Sequence, residues 1–98
     1  AARDLSGRLL QDHPTGDLDA VIPAAYRLTF GREPTTDERY AAEEFIVQQT
    51  GLLVGRETTD RANRLPRPYP KFLDASRSAA IVDFCHALLN ANEFVYFD

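Results

Sequence analysis

The sequence predicts an all-α fold: a small bundle of three main helices, preceded by a weaker N-terminal helix and interrupted by one long Arg- and Pro-rich loop. Three observations carry that expectation. Apolar residues recur at three- and four-residue intervals in four segments. The stronger segments are bounded by residues that start or stop helices. No stretch alternates apolar and polar residues over the length of a strand.

The first segment, Asp4 to Gln11, carries Leu5, Leu9 and Leu10. It is short, and Pro14 disfavours helix at His13, so it ends near Asp12. The second runs from Asp17 or Asp19 to Phe30, with Leu18, Val21, Ile22, Ala25, Leu28 and Thr29 near one face. Asp17 fits an N-cap and Gly31 a stop. Pro23 implies either a late start near Ile22 or a kink after the first turn.

The third segment has the clearest start. Thr35 and Glu38 match a capping box behind Pro34. Ala41, Ala42, Phe45 and Gln49 then share a face, with Ile46 beside them and Gly51 as terminator. The fourth, Ala75 to Ala91, begins at a cap on Asp74 or Ser76. Ile81, Phe84, Cys85 and Leu88 form its apolar stripe, widened by Val82 and Leu89. Asn90 and Asn92 are expected to close it and to turn Phe94 and Tyr96 onto the core, because Asn tolerates the left-handed conformation. Phe45, Phe84, Leu88, Ile81, Ile22, Ala25 and Leu28 are the expected core.

Residues 54–73 show no sustained period and contain Pro66, Pro68 and Pro70, which reads as a long loop. Six basic residues (Arg56, Arg61, Arg64, Arg67, Lys71, Arg77) stand against three acidic ones (Glu57, Asp60, Asp74) over 56–77. That segment carries +3; with a total of -4, the remainder carries -7.

A chain of 98 residues suits one domain, and 44% hydrophobic with 27% charged residues is globular rather than disordered composition. The acidic balance argues against a nucleic-acid partner. No apolar run is long enough to span a membrane. The chain contains no Met and starts Ala1-Ala2-Arg3, so it is expected to be an excised or processed segment of a larger protein. Cys85 is the single cysteine, which rules out an internal disulfide and any CxxCH haem attachment or paired-cysteine zinc site. No cofactor is expected within this segment.

Two blocks carry a family resemblance. One is Ala25 to Glu38, with Gly31-Arg32-Glu33-Pro34-Thr35 at its centre; the other is Asp83 to Tyr96, with Leu88-Leu89-Asn90-Ala91-Asn92-Glu93-Phe94. Together they resemble the C-terminal part of a planctomycete-specific, cytochrome-c-associated domain family of unknown function. Phe30 and Ala91 depart from it, where Leu and Ser are usual. The resemblance implies an exported, periplasmic or cell-surface, multidomain parent with cytochrome-type domains elsewhere. It transfers no catalytic residues.

Among candidate sites, Asp83, His86 and Asn90 share one helix face, where His86 would be a general base oriented by Asp83, or merely part of a solvated face. Cys85 sits on the apolar stripe, which favours a buried structural thiol over a nucleophile. His13 and His86 with Asp12 and Asp83 lack any spacing that enforces a metal site. Arg27 and Arg32 suit the end of the second helix, and Arg32 can brace the turn through Glu38, Glu43 or Glu44. The best binding candidates are Arg61, Arg64, Arg67 and Tyr69, whose guanidinium and aromatic groups suit carboxylate, sulfate, anionic glycan or an acidic protein face. The leading expectation is a non-catalytic structural or interaction module, whose partners are upstream domains of the same chain or another protein. The alternatives are a segment of a larger redox or polysaccharide-processing enzyme, or an anion- or glycan-binding module.

Overall fold

The computed structural model describes residues 2–54, 65–66 and 75–96, with side chains described as far as residue 91. The described chain forms four helices: α1 (Ala2–Asp12), α2 (Leu18–Phe30), α3 (Thr36–Leu53) and α4 (Ala75–Tyr96). No strand occurs among the described residues. The fold is therefore the all-α bundle that the sequence predicts.

Local signals set the helix boundaries. The Asp17 side chain accepts from the Asp19 N–H, and its carbonyl accepts from the N–H groups of Ala20 and Val21. The helix thus starts at Leu18, and a late start near Ile22 does not occur. Pro23 lies in the second turn, where its missing N–H removes the bond to the Asp19 carbonyl and its ring is buried as apolar surface. Gly31 ends α2 with φ 70°, donating to the Arg27 carbonyl at 3.0 Å. A left-handed residue costs little only when Cβ is absent. Between α1 and α2, the Gly16 N–H donates to the His13 carbonyl at 3.0 Å, closing a turn with Pro14 at its second position.

The capping box forms as its sequence signature requires. The Thr35 hydroxyl accepts from the Glu38 N–H at 3.1 Å, and the Glu38 carboxylate accepts from the Thr35 N–H at 2.8 Å. Three expected stops differ. Gly51 does not terminate α3, which runs on to Leu53 and is closed by the Val54 N–H donating to the Thr50 carbonyl at 3.1 Å. Gly51 keeps negative φ, so nothing forces the helix to end there. Asn90 and Asn92 do not end α4, which continues to Tyr96; among the described residues only Gly16 and Gly31 have positive φ. Ser76 lies inside α4 and does not cap it, while Asp74 falls outside the described residues.

Packing centres on α4. Ser78, Ala79, Ala80, Ile81 and Val82 are consecutive and all buried, followed by Phe84, Cys85 and Leu88. Five consecutive buried residues cover more than one full turn, so α4 is enclosed on all sides there. It packs against α1, α2 and α3, and α2 also touches α1 and α3. In α2, Val21 to Tyr26 are likewise buried without a break. Tyr26 meets the Phe84 ring at 6.5 Å and the Phe30 ring at 5.5 Å, both tilted.

The N-terminal helix is stronger than its sequence suggests. α1 buries Ala2, Ser6, Gly7, Leu9 and Leu10, and both leucines are fully enclosed. Two expected core residues are not enclosed: Leu28 is 44% exposed and Phe45 38%. Phe84, Leu88, Ile81, Ile22 and Ala25 are buried as expected.

Leu10→Ala should therefore destabilise the protein by about 2–5 kcal/mol, as for a filled core position. Leu28→Ala should cost less than about 1 kcal/mol. Urea denaturation of both variants checks this; equal losses would refute the placement of α1 in the core.

Candidate interaction surface

α3 divides into rows of residues set three and four positions apart, which stand one above another on a helix. One row, Ala42, Ile46, Gln49 and Leu53, faces the bundle: its three apolar members are buried. The Gln49 amide donates to the Asp83 carboxylate on α4 at 3.0 Å, which ties the two helices together at a polar point. The Thr50 hydroxyl donates to the Ile46 carbonyl at 2.7 Å, along the edge of this row.

Two adjoining rows face outward. The first is Tyr40, Glu44, Val47, Gly51 and Val54; the second is Ala41, Phe45, Gln48 and Leu52. Tyr40 is 68% exposed, Val47 54%, Leu52 57% and Val54 62%. Glu44 accepts from Gln48 across the two rows at 3.0 Å. Ala41 and Phe45, expected inside, therefore lie on the outer face. The reason is that α3 carries apolar residues on every side, so spacing alone does not choose which row turns inward. The sequence does hold one signal: Asp37 and Glu44 stand four before and three after Ala41, which marks its row as solvent-facing.

The turn between α2 and α3 is braced by charge. Arg32 grips Glu38 with two guanidinium nitrogens, at 2.8 and 2.9 Å, and donates to the Glu33 carbonyl at 2.9 Å. It also lies 5.6 Å from the Tyr26 ring centre and 5.5 Å from that of Phe30. Of the three carboxylates considered for Arg32, Glu38 is the partner found. Arg27 pairs with Glu33 at 2.7 Å. The two hydrogen-bonded groups, Arg32 first and the Thr35 N–H second, lower Glu38 to about 2.

The other candidates separate. Asp83 is half-buried and its carboxylate accepts from Gln49 on α3, while His86 and Asn90 are exposed. Cys85 is fully buried, and burial pushes its thiol up to about 12, so it is neither accessible nor ionised at neutral pH. No cluster of three metal-ligating side chains occurs among the described residues. No described helix is long and apolar enough to cross a membrane.

Arg61, Arg64, Arg67 and Tyr69 lie outside the described residues. Between them, Leu65 and Pro66 are placed: the Leu65 carbonyl accepts from the Arg3 guanidinium at 3.0 Å, and Pro66 is buried. The connection from α3 to α4 is thus pinned at this point onto α1. The chain matches no known family, no curated protein and no solved structure.

A carboxylate lowered in the fold adds stability that is complete above its ordinary value of 4.5 and vanishes as pH falls toward 2. Glu38→Gln should accordingly be less stable than the parent at pH 6. The gap between them should close as pH drops from 4.5 toward 2. Chemical denaturation across that range measures it, and a gap independent of pH would contradict the brace.

Proposed function

We propose that this chain is a non-catalytic interaction module that docks another protein surface through the outer face of α3. One observation carries this reading. Of the six large apolar residues exposed among the described residues, five (Tyr40, Phe45, Val47, Leu52 and Val54) lie on α3 or its cap. Scattered exposed apolar side chains are ordinary on any protein. Five of them gathered on the outward half of one helix, in two strips on either side of Glu44 and Gln48, is the pattern of a contact surface.

The buried side of the molecule offers that surface a rigid support. Ala42, Ile46 and Leu53 anchor α3 to α4, and the Arg32–Glu38 brace fixes its first turn. A helix held this way presents its outer rows without a cost of ordering on binding. The chemistry of the described side chains supports the non-catalytic half of the reading, since the thiol of Cys85 is sealed.

The resemblance of Ala25 to Glu38 and Asp83 to Tyr96 to the planctomycete cytochrome-c-associated family adds a setting to the proposal. In that setting the chain is the C-terminal part of an exported multidomain protein, and the partner is an upstream domain of the same chain or a second protein.

A photo-cross-linking residue placed at Tyr40 or at Leu52 tests the docking face in the native cellular context. The same residue at Arg8, exposed on α1, is the control. Protein adducts should form several-fold more efficiently at the α3 positions. Equal or lower yield there than at Arg8 would overturn the reading.

A further inference from the structure

We draw no further inference here: the strongest candidate, the surface patch made by the two exposed apolar strips of α3 on either side of Glu44 and Gln48, belongs to the docking face already proposed, and nothing in the structure shows what covers it.

Discussion

Enclosure of α4 governs the rest of this molecule. Its turn from Ser78 to Val82 is buried on every side, and Phe84, Cys85 and Leu88 continue the buried surface along the helix. A helix buried all round needs neighbours all round. α1, α2 and α3 supply them, so each is amphipathic only with respect to α4. The small residues matter as much as the large. Ser78, Ala79 and Ala80 leave room for close approach, and Ile81, Phe84 and Leu88 fill the space between.

The same arrangement separates what the sequence discloses from what it conceals. Short-range chemistry was legible. Thr35 with Glu38, Asp17, Gly31 and Pro14 each act within a few residues of where they stand, and each bounds a helix where its chemistry implies. Stops that depend on a residue adopting an unusual backbone were not. Gly51 and Asn90 are permitted to leave the helix but nothing compels them, and continued packing of Leu53 keeps α3 going. The strength of α1 was also hidden. Its three leucines are too few to make a helix persuasive alone, yet Leu9 and Leu10 are sealed because α4 is there to receive them.

The candidate site illustrates the limit most clearly. α3 has enough apolar residues for two faces, so the choice between Phe45 and Ile46 belongs to the neighbouring helices. The Gln49–Asp83 hydrogen bond records the choice made: it fixes the rotation of α3 against α4 and sends Phe45, Val47 and Leu52 outward. The proposed partner surface thus arises from the way the core is satisfied, since one row closes the bundle and the adjoining rows are left over. The Arg-rich segment that drew attention in the sequence is a different matter. Within it, the Leu65 carbonyl bonded to Arg3 of α1 is a structural anchor.

If α4 is the shared core, the bundle opens as a unit and α1 opens with it. Native-state amide hydrogen exchange tests this most directly, because it reports the free energy of opening residue by residue. Amides of α4 around Ile81 to Cys85 and those of α1 around Leu9 and Leu10 should exchange only through global unfolding, with the same free energy as chemical denaturation gives. Exchange of the α1 amides at a far lower free energy than those of α4 would contradict the account, since α1 would then be an appendage and not a wall of the core.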